Sequence, residues 1–193
     1  MLKLKSLTDQ ELISLYLNDH PTAFEVLLNR HRDKIYTSIY LFVRDTETAE
    51  DIFQEVFIKI IDTLKKGKYQ NEDKFLQWAM RISYNLCVDY FRKSKKMSFV
   101  AGTDTFDPFT VIPSGDDHME SHIIKSETHD RLRTLIDQLP DEQREVVILR
   151  HYADMSFKEI AQLTRVSINT SLGRMRYALI NLRKMMVETE KVA

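Results

Sequence analysis

Three groups of side chains in this 193-residue sequence have types and spacing suited to recognition chemistry. Near the C-terminal end, Asn169, Thr170, Gly173, Arg174, Arg176 and Tyr177 share one arc of a helix at about 100° per residue. Asn and Arg offer paired hydrogen bonds to base edges, while Thr and Tyr reach phosphate or a thymine methyl. Gly173 costs that helix about 1 kcal/mol relative to alanine. Either its missing side chain lets the backbone approach DNA, or it is a tolerated weak spot. Upstream, Arg81, Tyr84, Asn85 and Arg92 share another arc with Trp78 on its edge, and a basic run begins at Arg92-Lys93. Aromatic faces, amides and cations together suit single-stranded DNA, whose bases stack and whose phosphates track positive charge. The alternative is that Trp78 and Tyr84 complete a small core. The third group, Asp51, Gln54, Glu55 and Asp62, rings an isolated apolar residue, Ile58. It reads equally as a solvated helix face or as a docking spot for a partner.

The elements that hold these groups are helices. Thr8 and Glu11 have capping-box spacing and open a helix that ends near Asn18. A second helix is expected from Thr22 to Val43 and a third from Thr46 to Leu64. The third buries Ile52, Phe53, Val56, Phe57, Ile60, Ile61 and Leu64. After a loop spanning Gln70 to Asp73, a fourth runs from about Lys74 to Lys93, with Phe75, Ala79, Met80, Ile82, Leu86, Cys87 and Phe91 inward. Helical periodicity returns from His122 to Pro140, and again from Glu142 to Tyr152. Ser156 and Glu159 then form a second capping box that opens a short helix. The turn Thr164-Arg165-Val166 and the N-cap Ser167 lead into a longer helix through about Met186. Short helix, tight turn and long amphipathic helix make a helix-turn-helix. The buried stripe of its second helix is expected to be Ile168, Leu172, Met175, Leu179 and Leu182, and its first turns would enter the major groove.

Composition agrees with an all-α reading: four Gly and four Pro leave little material for β-turns or phosphate-cradling loops. The net charge of −1 conceals a segregation along the chain. Residues 1–96 carry a net +2, residues 97–130 a net −6, and residues 131–193 a net +3. The acidic stretch holds Gly102, Pro108, Pro113 and Gly115, so Met97 to Ser121 reads as a flexible acidic linker. The expected organisation is therefore a helical domain over 1–96, a linker over 97–121 and a second helical domain over 122–193.

The lone Cys87 rules out an internal disulfide and reads as a small core residue. No apolar run reaches the roughly 20 residues of a membrane span, and the first residues lack a signal-peptide core, so a cytoplasmic protein is expected. Neither a Gly-rich phosphate loop nor a His-Glu-x-x-His motif occurs, and no enzymatic activity, cofactor or metal is expected. Asp117, His118, Glu120 and His122 imitate a metal cluster only in composition. A DNA-binding regulator that only grips an operator would share the helix-turn-helix. It would need neither the Asp51–Ile58 face nor the aromatic and basic Lys74–Lys96 helix.

The order of the pieces resembles the extracytoplasmic-function sigma factors of the sigma-70 family. Phe24 to His31 resembles their region 2.1, and Asp45 to Ile60 (DTETAEDIFQEVFIKI) resembles region 2.2. Lys74 to Lys96 is similar to regions 2.3 and 2.4, and Leu139 to Lys184 to region 4. The resemblance implies contacts with the β′ and β subunits of core RNA polymerase, the first through Asp51, Gln54, Glu55 and Ile58. It implies melting and reading of a minus-ten promoter element by the Tyr69–Phe75 loop with Trp78, Arg81, Tyr84, Asn85, Arg92 and Lys93, a base being flipped into a pocket. A minus-thirty-five element would be read by Asn169, Thr170, Gly173, Arg174, Arg176 and Tyr177. Members are commonly restrained by an anti-sigma factor, so such a partner is implied too. The linker would thread through polymerase as a nucleic-acid mimic, or serve only as a solvated tether. Arg165 stands in the turn where the family often has a small residue. Ser171, Leu172 and Tyr177 also depart from the common pattern, so no promoter preference carries over.

Overall fold

A computed structural model describes residues 2–70, 74–100, 132 and 134–190, and places side chains over 4–70, 74–94, 132 and 134–188. Among these residues every regular element is a helix. The chain divides into two compact units, Met1–Pro108 and Phe109–Ala193. The sequence 101–121, with most of the expected linker, lies outside the described residues, as do the Asp117–His122 cluster and the helix start at His122.

In the first unit the helices are α1 (Leu2–Lys5), α2 (Asp9–Leu17), α3 (Pro21–Val43), α4 (Thr46–Lys65) and α5 (Phe75–Val100). Each start has a local cause. Thr8 accepts the Glu11 N–H while Glu11 accepts the Thr8 N–H, the reciprocal capping box expected from the sequence. Pro21 sits at the first position of α3, where its missing N–H costs nothing. Asp45 caps α4 by accepting the Thr48 N–H at 2.8 Å, and hydrogen bonding from the Thr48 side chain, then from this N–H, holds its carboxyl below the usual range. Helix α3 is the hub, packing against α2, α4 and α5. Leu27, Ile35 and Ile39 of α3, Val56 and Ile60 of α4, and Ala79 and Met80 of α5 are all buried, within the bundle that these three mutually packed helices form. Each such aliphatic side chain contributes about 1.5–3 kcal/mol on burial. The buried Ser38 hydroxyl donates to the Ile35 carbonyl and also lies 3.1 Å from the Met80 sulfur, so the core leaves it satisfied. The sequence placed the end of α5 near Lys93, but the helix continues through Val100, four residues into the stretch assigned to the linker. Nothing in 94–100 breaks a helix: Gly102 is the first glycine and Pro108 the first proline after it.

The second unit contains a helical stretch over 134–137, then α6 (Asp141–His151), α7 (Phe157–Thr164) and α8 (Ile168–Glu190). Val146, Val147, Ile148 and Leu149 are all buried, so α6 is covered on several sides rather than along one stripe. Arg150 donates to the Met155 carbonyl at 2.8 Å and lies 5.4 Å from the centre of the Phe157 ring, closing the connection from α6 to α7. The second capping box forms at Ser156 and Glu159. Arg165 then takes a left-handed conformation, φ 58°, that ends α7, and Ser167 accepts the Thr170 N–H at 3.0 Å to begin α8.

Helix α8 corrects one expectation. Its buried line is Ser171, Ala178 and Leu182, whereas Ile168, Leu172 and Leu179 are 45%, 45% and 47% exposed. Ser171 and Ala178, seven residues apart, are small enough for α8 to lie close against the other helices of its unit. Of the expected stripe Leu182 is buried and Met175 half-buried, and apolarity alone does not mark the positions of Ser171 and Ala178.

Candidate nucleic-acid interface and docking face

On α4 the polar arc is open to solvent. Asp51, Gln54 and Glu55 are exposed, and Ile58 stands among them with 66% of its surface accessible. The opposite face, with Ile52, Val56, Phe57 and Ile60, is buried against the bundle. Glu55 pairs with Lys59 at 3.1 Å, one turn along, an exposed contact worth a few tenths of a kcal/mol. The face is therefore acidic at Asp51 and Glu55 and apolar at Ile58, and no described part of the first unit covers it.

The aromatic residues upstream of and within α5 form one cluster. The Tyr69 and Trp78 rings lie 4.7 Å apart, Phe75 and Trp78 5.8 Å, and Tyr69 and Phe75 6.3 Å. Phe75 is buried and anchors the cluster, while Tyr69 and Trp78 are half-buried. Tyr84 packs edge-on against Phe42 at 5.7 Å and is also half-buried. The packing expected of a small core is therefore present, and none of Tyr69, Trp78 and Tyr84 is fully buried by it. Arg81, Asn85, Arg92 and Lys93 are exposed on the same helix, with Arg92 near Asp89 at 3.6 Å. Residues 71–73 of the intervening loop lie outside the described set. Cys87 on the inner face is fully buried, and burial pushes its thiol up to about 12.

On α8 the expected reading arc separates into two kinds of residue. Asn169, Thr170, Arg176 and Tyr177 are exposed, Tyr177 by 62%, and a side chain added at Gly173 would meet nothing within 4 Å. The Thr170 hydroxyl is 2.8 Å from the capping Ser167 hydroxyl, so part of its bonding capacity is used locally. Arg174 instead turns inward. Its guanidinium is 3.3 Å from the Glu145 carboxylate on α6, and both side chains are largely covered. About two turns further along, Asn181 donates to Gln143 of α6 at 2.8 Å. Two polar clasps therefore fix the angle at which α8 leaves α6. The sequence carried no spacing signal for them, because the partners are 29 and 38 residues apart.

A further network went unrecognised in the sequence. Arg30 of α3 donates to Asp9 at 2.6 Å and to the Leu7 carbonyl at 2.8 Å, and the adjacent His31 donates to Asp9 at 2.8 Å. Burial raises the Asp9 carboxyl, but the hydrogen bonds and charges of His31 and Arg30 outweigh it and hold the group below its ordinary value. Among the described residues no group of three His, Cys, Asp or Glu side chains is arranged to hold a metal ion. Nor is any described helix long and apolar enough to cross a membrane.

Comparison with known proteins names this arrangement. Residues 27–97 match the model of sigma-70 region 2 and residues 129–176 that of sigma-70 region 4, in that order along the chain. The chain belongs to the sigma-70 family of RNA polymerase sigma factors, among those of the extracytoplasmic-function type. It is 29% identical over 166 residues to the sigma factor SigW of Bacillus subtilis, covering 84% of this chain and 88% of that one. It is 27% identical over 170 residues to CarQ of Myxococcus xanthus, covering 87% and 91%. Among solved structures, the fold is shared with the sigma factor RpoE of Bartonella quintana in complex with the anti-sigma factor NepR, at 19% identity and a TM-score of 0.64. That match covers 84% of this chain and 96% of the other. It is shared as well with CnrH in complex with the cytosolic domain of CnrY, at 19% identity and a TM-score of 0.59, covering 93% and 97%.

Proposed function

We propose that this protein is a transcription initiation factor that binds core RNA polymerase and directs it to specific promoters, without catalytic chemistry of its own. The observation that carries this reading is the pairing, on one small bundle, of the open Asp51–Ile58 face with the Tyr69–Trp78 cluster, upstream of a helix-turn-helix. A regulator that only grips an operator has no use for the first two. Asp51, Gln54, Glu55 and Ile58 dock on polymerase, the apolar centre within a polar rim being the usual anatomy of a specific interface. The accessible sides of Tyr69, Trp78 and Tyr84 stack bases of the melted minus-ten strand. Arg81, Arg92 and Lys93 meet its phosphates, and Asn85 reads a base edge. Asn169, Arg176 and Tyr177 read the minus-thirty-five duplex, with Gly173 allowing close backbone approach and Thr170 adding a contact from the first turn.

The helical domain that carries the docking and minus-ten surfaces spans residues 1–96, the linker 97–121 and the minus-thirty-five domain 122–193. Action on the chromosome places the protein in the cytoplasm, and an anti-sigma factor restrains it by covering these same surfaces. The test is co-purification with core polymerase. The wild-type chain associates, and the double variant Asp51→Lys, Glu55→Lys loses association while its circular dichroism spectrum is unchanged. Failure of the wild-type chain to associate removes the proposal.

A further inference from the structure

The family match to region 2 begins at residue 27, so α1, α2 and their turn precede it. They are nevertheless tied into the surface assigned to the minus-ten element. Asp9, in the first turn of α2, takes hydrogen bonds from Arg30 at 2.6 Å and from His31 at 2.8 Å, and Arg30 also holds the Lys5 and Leu7 carbonyls. The His31 side chain is only 12% exposed, and its ring lies 5.4 Å from that of Phe75, tilted by 43°. Phe75 begins α5 and is the buried member of the cluster that contains Tyr69 and Trp78. A continuous series of fixed groups thus runs from α2 to the accessible rings. The carboxylate sets the plane of the imidazole, the imidazole bears on Phe75, and Phe75 backs Tyr69 and Trp78. Contacts of this ring-to-ring kind are directional, so the orientation of one ring constrains the next.

We propose that Asp9 and His31 are positioning residues for the minus-ten reading surface, holding Phe75 and through it Tyr69 and Trp78 in the geometry that receives unpaired bases. The proposal rests on the assignment of that surface to promoter DNA, and it gives the segment before the family match a role in promoter opening. Removing the tie leaves the bundle folded, because Phe75 stays in its core, but it frees the outer rings to move.

Trp78 is the only tryptophan in the chain, so its fluorescence reports the cluster in the intact protein. Two variants separate the links: His31→Phe keeps a ring against Phe75 and loses the carboxylate bond, and Asp9→Asn keeps His31 and removes the charge. At a temperature where circular dichroism shows each variant fully folded, acrylamide quenching of Trp78 rises about twofold in both. With holoenzyme and a promoter fragment mapped from the protein's own transcripts, 2-aminopurine in the minus-ten element reports opening about tenfold slower in both variants. Association with core polymerase stays at the wild-type level. A purely stabilising tie would leave quenching and opening unchanged wherever the protein is folded, and that result overturns the proposal. Loosened Trp78 with normal opening overturns it as well, provided Tyr69→Ala abolishes opening. If Tyr69→Ala itself opens the promoter normally, the assignment of the surface to minus-ten DNA has failed instead.

Discussion

Arg174 and Arg176 sit two residues apart on α8 and are alike in sequence, yet the fold gives them different work. Arg176 is exposed on the outer arc, whereas Arg174 is clasped by Glu145. Replacing Arg176 with Ala is expected to cost about 1–3 kcal/mol of promoter affinity and to relax preference near one base pair. Replacing Arg174 with Ala is expected to lower affinity evenly across sequences, and a double-mutant cycle with Glu145→Ala to return a coupling of about 1 kcal/mol in unfolding free energy. Zero coupling, or sequence-selective loss at Arg174, would return that residue to the reading surface. Cys87 is another residue whose role follows from burial. With its thiol pushed up to about 12, it should resist alkylation in the folded protein and react at once in denaturant. Fast labelling under native conditions would contradict its place in the core.

At the scale of single elements, much of the organisation was legible. Capping boxes at Thr8 and Ser156 and the two-sided pattern of α4 depend on spacings of three and four residues, which a sequence displays directly. The buried side of α8 was legible only in part, at Leu182, because hydrophobicity marks what prefers burial while Ser171 and Ala178 mark where a neighbour can approach. The clasp on Asp9 was hidden for another reason: its partners are 21 and 22 residues away and meet only once α2 folds back on α3. Asp9 also sets a pH dependence. Its folded-state carboxyl lies below the ordinary 3.8, so it contributes stability that is present above that pH and lost as pH falls through the lower folded value. Asp9→Asn should flatten the acid side of the stability profile, read by urea titration between pH 5 and pH 2.5 (approximate limits set by the ordinary carboxylate range). An unchanged profile would assign the lowered carboxyl no part in stability. In the helix-turn-helix, Arg165 holds a left-handed conformation that costs a side-chain-bearing residue about 1–2 kcal/mol. Arg165→Gly should therefore raise the melting temperature of the second unit, and a fall would mean that the Arg165 side chain contributes more than its backbone costs.

For the molecule as a whole, net charge is a poor guide to partners. A chain of net −1 presents an acidic face with an apolar centre on α4, and cations beside aromatic rings on α5. A net charge near zero supplies no general attraction to phosphate, so any such attraction must come from local surfaces. The helix-turn-helix by itself marks a DNA-binding protein. The bundle before it, with the face we propose for polymerase and the cluster we propose for unpaired bases, is what would distinguish an initiation factor. The most direct test is transcription reconstituted from core RNA polymerase, the full chain and a promoter mapped from transcripts induced by its overexpression. The account predicts transcripts from the mapped start that require this chain and vanish with Asp51→Lys, Glu55→Lys. Transcription that is indifferent to the chain, or that survives the double substitution, would contradict it.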